Sequence, residues 1–498
     1  MNWGEALPLL VVGSSLVPGL VIFFLPEERV ATRTTLNLAG AVVKLLLVGV
    51  MFFGLLNGQQ YQTRLPLLPG IELVLSAEPL SMLFLSLSAA LWLVTTVYAI
   101  GYLEGSPYRS RFFGFFSVCV TATVGVALAG NLVTFLLFYE LLTLCTYPLI
   151  VHRGTEMAKR AGRDYLVYTL GGGALLLLST VWLHTLSGTT EFRAHGFLSG
   201  LDASLHPTLM LIFVLCIAGL GVKAALVPLH GWLLKAMVAP APVSALLHAV
   251  AVVKAGAFGI IRIVYDVYGI EFSQSLGLTL PLAVVAAVTI LYGSFRALFQ
   301  DELKRRLAFS TVSQVAYIIL GIGVAGPVAA TGGLIHLVHQ GVQKITLFLC
   351  AGNLAETLGI HRVSEMNGVG RRMPWTMAAF TVGVFGMIGA PPLAGFFSKW
   401  YLGMGALASD QGWVVWILAG SSLLNAAYFL PILYAAWFEP APTRWPDERC
   451  LGQQETAWML LIPPLITATT VVVLGLWASA PFSLVEWVSL IVSRAGSE

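Results

Sequence analysis

Fourteen apolar stretches, most about twenty residues long and separated by short segments rich in Gly, Pro and charge, run from one end of this 498-residue chain to the other. A helix needs about 20 predominantly apolar residues to cross a bilayer. Within the hydrocarbon every backbone N–H and C=O must find a partner inside the protein, and a helix supplies those partners along its own length. The stretches fall near 5–25, 34–56, 80–102, 111–129, 131–151, 164–187, 207–229, 241–266, 276–298, 303–325, 328–356, 375–409, 411–438 and 456–479. Charged residues make up 10% of the chain, against roughly 25% in average soluble domains. The predicted fold is an all-α integral membrane protein of about 14 transmembrane helices in a lipid bilayer. It leaves no length for a sizeable aqueous domain, which removes most soluble enzyme classes.

Sidedness follows from the basic residues. The loops after odd-numbered helices hold eighteen Lys and Arg, while those after even-numbered helices hold only Arg64 and Arg193. Cytoplasmic loops carry the basic excess, so both termini are expected on the non-cytoplasmic side, in the cell's inner (plasma) membrane. The N-terminus lacks the basic region and small-residue cleavage site of a secretory signal, so the first stretch is expected to remain as a helix. Residues 481–498 are too short to span again and mix Trp487, Leu490 and Ile491 with Glu486 and Arg494, which suits a place at the interface. A net charge of +3 without a basic strip interleaved with aromatics offers nothing to nucleic acid.

Six basic residues lie inside the apolar runs: Lys44, Lys223, Lys254, Arg262, Lys344 and Lys399. Glu140 is the one carboxylate near the middle of a run. A charge at the bilayer centre costs roughly 2.5–3.5 kcal/mol on insertion scales, so such residues point to function and call for a named partner. Lys44 could snorkel or pair locally. Arg262 stands four residues from Asp266, a spacing that suits an ion pair. The others are better placed for transport. Lys223 precedes Pro228, and Lys399 follows Pro391 and Pro392. Proline inside a membrane helix frees carbonyls, and such breaks are tolerated where the backbone lines a cavity or packs on protein.

The strings Pro228-Leu229-His230-Gly231-Trp232 and Pro392-Leu393-Ala394-Gly395-Phe396 share the pattern Pro-Leu-x-Gly-aromatic. The charge census runs their helices in opposite directions. Interrupted segments at matching places in antiparallel halves are the mark of a transporter built from inverted repeats. His248 precedes Lys254 on the eighth stretch, and His336, His339 and Lys344 share the eleventh, so polar groups recur on at least four helices.

Alternating lysines and histidines can pass protons provided an amine is neutral part of the time. Desolvation favours the neutral amine, and a carboxylate about 4 Å away opposes it by about 4 kcal/mol at an effective dielectric near 20. Glu140 approaching Lys223 would hold a proton there, and Glu140 moving away would release it towards Lys254, Lys344 and Lys399. The drive must come from outside the chain. It holds no Walker A string, no GxGxxG after a strand and no CxxC pair, and its five cysteines are scattered, so no cofactor or metal site is expected. The triplet Gly171-Gly172-Gly173 suits close helix packing.

The stretches GLGVKAALVPLHGWL, APAPVSALLHAVAVVKAGAF, DELKRRLAFSTVSQVAYI, HLVHQGVQKITLFLCAG and APPLAGFFSKW resemble the antiporter-like proton-translocating subunits of respiratory complex I, membrane-bound hydrogenases and Mrp-type multisubunit cation/proton antiporters. The D subunit of the Mrp branch is the nearest. The resemblance covers about residues 110–430. It implies two inverted five-helix repeats, helices 4–8 over residues 111–270 and helices 9–13 over 271–440. Helices 1–3 then occupy 1–110, and helix 14 with an interfacial tail occupies 441–498. It also implies discontinuous helices 7 and 12 and a central polar axis. By the same resemblance Glu140 and Lys223 form a functional pair. Lys254 and His248 sit on the eighth helix, His336 and Lys344 on the eleventh, and Lys399 on the twelfth, where some relatives carry Glu.

Many relatives show His-x-x-x-His in the eleventh helix, whereas the position four after His336 is Gln340 and the second histidine is His339. A glutamine can hold water but cannot titrate, so passage there relies on water or on His339. The expected function is proton translocation within a cation/proton (Na+/H+) antiporter of Mrp type, with other membrane subunits as partners. The rivals are a proton-pumping subunit of a redox-driven complex, a catalytic quinone oxidoreductase, and a tethering membrane subunit such as that of an inorganic-carbon uptake system. Sodium sites prefer several oxygen ligands, which this interior does not offer, so the chain is expected to move protons and leave sodium to a neighbour.

Overall fold

The computed structural model describes residues 2–452 and 454–496, with side chains for all of these except 495 and 496. The chain opens with α1 (Trp3–Phe23) and α2 (Val30–Leu56), then a hairpin of β1 (Tyr61–Leu68) and β2 (Ile71–Ala77), then α3 (Pro79–Tyr102). Next come α4 (Arg109–Leu128), α5 (Leu132–Ile150), α6 (Glu156–Ser187), α7 (His206–Lys223) and the short α8 (Gly231–Lys235). A two-part helix of α9 (Ala241–Ala249) and α10 (Val252–Arg262) runs on as a π-helix to Tyr268 and is followed by α11 (Ile270–Ser275). The second half holds α12 (Thr279–Leu298), α13 (Leu303–Gly323), α14 (Pro327–Leu358), α15 (Val369–Arg372), α16 (Pro374–Ile388), α17 (Ala394–Ala408), α18 (Trp413–Phe438), α19 (Trp458–Leu476) and α20 (Leu484–Gly496).

Twelve helical stretches among the described residues are long and apolar enough to cross a membrane, and the protein is a multi-pass membrane protein. Two of the fourteen predicted crossings do not meet that measure. One is α14, whose 32 residues include His336, His339, Gln340, Gln343 and Lys344. The other is split into α16 and α17, each of 15 residues. Large apolar side chains face outward as well as inward, in the way lipid demands. The most apolar 18-residue windows of Ala241–Tyr268 and Leu303–Gly323 are wholly buried, whereas that of α2 is 33% buried and α2 turns Leu46 and Phe53 outward.

Residues 57–79, read from the sequence as a loop, contain an antiparallel hairpin, so the fold is nearly rather than wholly helical. Alternation at Ile71, Leu73 and Leu75 and the Pro69-Gly70 turn, with Gly70 at φ +77°, favour strand pairing over a segment too short to span. The hairpin ties one end of the bundle together. Thr63 Oγ1 donates to the Glu5 carbonyl at 2.6 Å, Val74 N donates to Thr134 Oγ1 at 2.8 Å, and Arg64 pairs with Glu72 and Glu191. Asn131 caps α5 by accepting from Thr134 N at 2.7 Å while its amide donates to the Glu72 carbonyl.

Both proline breaks occur where the sequence places them. Between α7 and α8 the Val222 carbonyl accepts from Ala225 N at 3.1 Å and from Trp232 Nε1 at 2.7 Å, so the chain beyond the break shares in satisfying the last turn of α7. Between α16 and α17, Gly389 adopts φ +91°, and Lys399 takes up the carbonyls left at the end of α16. The eighth predicted helix is also interrupted, which was not foreseen. Val250 and Ala251 leave helical geometry, and α14 comes so close that a Cβ on Gly341 would stand 2.9 Å from the Ala249 carbonyl. The tail is helix α20, seated through Val485, Val488 and Ile491, with Trp487 Nε1 donating to the Pro79 carbonyl at 3.2 Å. Residues 497–498 of the predicted tail lie outside the described residues.

Candidate functional site

Lys223 ends α7 at the break, fully buried, and its ammonium donates to the Tyr139 carbonyl on α5 while lying 3.3 Å from the centre of the Tyr139 ring. Glu140 is the next residue along α5, turned about 100° further round the helix. Its carboxylate faces α6, where Gly173 makes room for it. A Cβ on Gly173 would overlap Oε1 and stand 2.6 Å from Cδ. Oε1 is buried and finds no protein partner. The expected Glu140–Lys223 ion pair is therefore open here, because the amine has taken the backbone carbonyl and aromatic face one residue before the carboxylate. Gly172 and Gly219 approach each other's backbones closely, each Cβ falling under 3 Å from the other's carbonyl, so part of the glycine triplet does serve helix packing.

His248 and Lys254 stand on either side of the α9–α10 interruption, both with no exposed surface. The His248 ring stacks on Phe348 of α14 at 4.4 Å, and neither ring nitrogen has a protein partner. Lys254 Nζ has none either. Lys344 on α14 donates to the Leu307 carbonyl at 3.1 Å and to Ser310 Oγ, both on α13. His336 Nδ1 shares a hydrogen bond with Ser398 Oγ at 2.8 Å, and its ring lies 5.1 Å from that of Tyr317. Lys399, the neighbour of Ser398, donates to the Met387 and Ile388 carbonyls at 3.0 and 2.7 Å and to Ser422 Oγ at 2.9 Å, with its ammonium 5.5 Å from the Tyr317 ring. His336, Tyr317 and Lys399 thus form one cluster.

Six of the eight side chains named from the sequence, Lys223, His248, Lys254, His336, His339 and Lys344, are buried, and Glu140 and Lys399 are half-buried. The buried atoms without a protein partner concentrate around them: Glu140 Oε1, both nitrogens of His248, Lys254 Nζ, His336 Nε2, His339 Nδ1 and both amide atoms of Gln340. A buried polar atom left unpaired costs about 1–3 kcal/mol. Folded proteins carry such groups mainly where water or a mobile partner completes them. Among the described residues, no three His, Cys, Asp or Glu converge in a way that could hold a metal ion.

A family model described as "NADH:quinone oxidoreductase/Mrp antiporter, TM" matches residues 129–425. The chain belongs to this family. It is an Mrp antiporter-like membrane subunit. It is 36% identical over 423 residues to the NADH-quinone oxidoreductase subunit N of Desulforudis audaxviator (strain MP104C), covering 82% of each chain. It is 30% identical over 383 residues to a probable K(+)/H(+) antiporter subunit of Rhizobium meliloti (strain 1021), covering 76% of this chain and 38% of that one. It is similar to hydrogenase-4 component B of Escherichia coli (strain K12), 31% identical, and spans 50% of that longer protein. In fold it superposes on a chain of the Mrp complex from Dietzia sp. DQ12-45-1b with a TM-score of 0.86 at 23% identity, covering 99% of this chain and 98% of that one.

Three residues of this antiporter-like subunit escaped the sequence reading: Gln314, Tyr317 and Gln343, all fully buried with unpartnered polar atoms. A search for titratable residues inside apolar runs passes over glutamine. The signal that could have found Gln343 is Gln recurring at helical spacing with histidine, as in His336, His339, Gln340 and Gln343.

Lys44 does not snorkel. It is fully buried, donates to Ser15 Oγ at 2.5 Å and lies 4.7 Å from the Trp92 ring, and Ser15 shares a 2.8 Å hydrogen bond with Thr121. Arg262 forms the expected pair with Asp266 at 2.7 Å and adds Glu78 at 2.8 Å and Ser81 Oγ at 2.7 Å. Lys44→Met is expected to leave transport within about twofold of wild type. Replacing a buried charge by an apolar residue of similar length is often neutral or stabilising, and the Ser15–Thr121 bond stays in place. A proton-flux assay checks this, and complete loss of flux would make Lys44 part of the path.

Proposed function

We propose that this chain is the proton-translocating subunit of a multisubunit cation/proton (Na+/H+) antiporter of Mrp type, working with other membrane subunits in the plasma membrane and not itself an enzyme. The observation that carries the reading is the placement of Lys223, Lys254, Lys344 and Lys399. The first three are fully buried and the half-buried Lys399 turns its ammonium onto the Met387 and Ile388 carbonyls, so that all four lie on or beside interrupted helices or against α13, among imidazoles and amides with unmet hydrogen-bonding capacity. Protons pass along the Glu140, Lys223, Lys254, His248, Lys344, His339, His336 and Lys399 axis, and the distance between Glu140 and Lys223 sets whether the first amine keeps its proton. In this reading the chain crosses the membrane fourteen times, α14 and the α16–α17 pair included. Residues 111–270 and 271–440 form inverted repeats, and both termini lie on the non-cytoplasmic side. Sodium passes elsewhere in the complex.

A second reading, a proton-pumping subunit of a redox-driven complex, is favoured by the 36% identity to a quinone oxidoreductase subunit. Purifying the native complex separates the two. Small membrane subunits as partners and cation-driven ΔpH in proteoliposomes support the antiporter. Co-purifying iron–sulfur proteins with quinone-dependent ΔpH overturn it in favour of the redox complex.

A further inference from the structure

Gln343 is fully buried on α14, and neither atom of its amide finds a protein partner. It sits against the break between α16 and α17. A Cβ on Gly386 would stand 2.9 Å from its Nε2 and 3.2 Å from its Cδ, and one on Gly395 would again stand 2.9 Å from Nε2. Two glycines on the two sides of the break thus leave the notch that the amide fills. The next two carbonyls after Gly386, those of Met387 and Ile388, are the ones that hold the Lys399 ammonium. On its own helix Gln343 follows His339 by one turn and His336 by two, which sets all three on one side of α14. His336 in turn bonds Ser398, next to Lys399.

We propose that Gln343 is a positioning residue that holds the hydrogen-bonded connection between the α14 imidazoles and Lys399 across the α16–α17 break. The inference rests on the proton path given above and adds the element that joins its last two members. An amide suits the place because its oxygen accepts, its nitrogen donates and it does not titrate, so no proton is trapped there. The transfer balances without it. A protonated imidazole of His336 or His339 loses one proton, the neutral Lys399 amine gains it through hydrogen-bonded water oriented by the amide, and Gln343 ends as it began. Gln340 and Gln314, equally buried and unpartnered, extend the same uncharged strip.

The test uses the whole purified complex in proteoliposomes, with proton flux read by an internal pH dye. Gln343→Leu keeps the bulk and removes both hydrogen-bonding atoms, and flux is expected to fall at least tenfold with the complex still assembled. Gln343→Asn, which keeps the amide, is expected to recover part of it. Gly386→Ala reaches the same amide from outside, since the three nearest atoms to the new methyl all belong to the Gln343 side chain, and it should lower flux in the same direction. Gly383→Ala is the packing control. Its methyl would meet Leu347 at 2.9 Å, an apolar neighbour, and flux should stay near wild type. If Gln343→Leu fails to assemble, Gly386→Ala decides. Lys223→Ala is run alongside. Wild-type flux in Gln343→Leu and Gly386→Ala with loss in Lys223→Ala overturns the bridge alone, whereas wild-type flux in Lys223→Ala overturns the path on which it rests.

Discussion

Lys223→Ala is expected to reduce ΔpH-linked transport about a hundredfold or more while leaving the complex assembled. The size follows from what is removed. Proton transfer by a positioned acid or base contributes typically 10²–10⁴-fold, and no other amine ends α7 at the break beside the Tyr139 carbonyl. Assembly survives because the group that loses its partner is not left bare. The Tyr139 carbonyl lies within α5, where it also accepts from Thr143 Oγ1 at 3.4 Å, and the Trp232 indole still closes the break. A buried ammonium is itself a burden on the fold, so Ala, or Met to keep the bulk, should not lower thermal stability by more than the small cavity costs. Flux in proteoliposomes together with the elution profile of the complex checks both halves. Normal flux with Ala at this position would leave the proposed axis without its first amine.

The open Glu140–Lys223 arrangement gives that axis a second state to move to. The carboxylate and the amine are held apart by contacts that a modest shift could exchange. Lys223 lies on a carbonyl and a ring face, and Glu140 has one oxygen without a partner. Closing the pair would give the amine a full counter-charge, and opening it leaves the amine with dipoles only. In the proposed mechanism, an event that moves α5 against α7 would therefore change how firmly the first proton is held, and such an event could originate in a neighbouring subunit that touches neither residue.

How much of this was legible in the sequence differs from element to element. Spans were, because lipid imposes a length and a polarity: α3 runs from Pro79 to Tyr102 where the apolar run predicts 80–102. The breaks after Lys223 and before Lys399 were, because proline marks them. The α9–α10 interruption was not. Its residues, Val250 and Ala251, carry no breaking signal of their own, and the close approach of Gly341 on a helix some ninety positions away is a tertiary fact. The extension of α6 back to Glu156 was missed because a helix continuing past its apolar span loses its hydrophobic signature while keeping its hydrogen bonds. The titratable members of the proposed path stood out as charges in apolar surroundings, whereas Gln314 and Gln343 carry no charge and were passed over. The direction in which Glu140 points depends on a single missing side chain on α6, which no reading of α5 alone could supply.

That missing side chain is open to test. Gly173→Ala places a methyl against the far end of the Glu140 side chain, overlapping Oε1 and 3.0 Å from Oε2, so the carboxylate must move while the backbone need not. Flux is expected to fall about tenfold or more, since general acid–base transfer depends on geometry before it depends on charge. Stability is expected to hold or rise, because Ala in place of Gly within a helix gains up to about 1 kcal/mol. Loss of transport together with retained stability would therefore locate the defect in the position of the carboxylate. If Gly173 serves only to let α5 and α6 pack, the same substitution should instead lower the melting temperature and leave flux proportional to the folded fraction. Glu140→Asp separates the two accounts further. Aspartate withdraws the carboxylate by one methylene and vacates the space the new methyl needs. The double variant should then transport faster than Gly173→Ala alone, a coupling between two contacting residues that a double-mutant cycle measures directly. Additive losses in that cycle would mean that Gly173 and Glu140 act independently and that the cradle on α6 does not set the position of the acid.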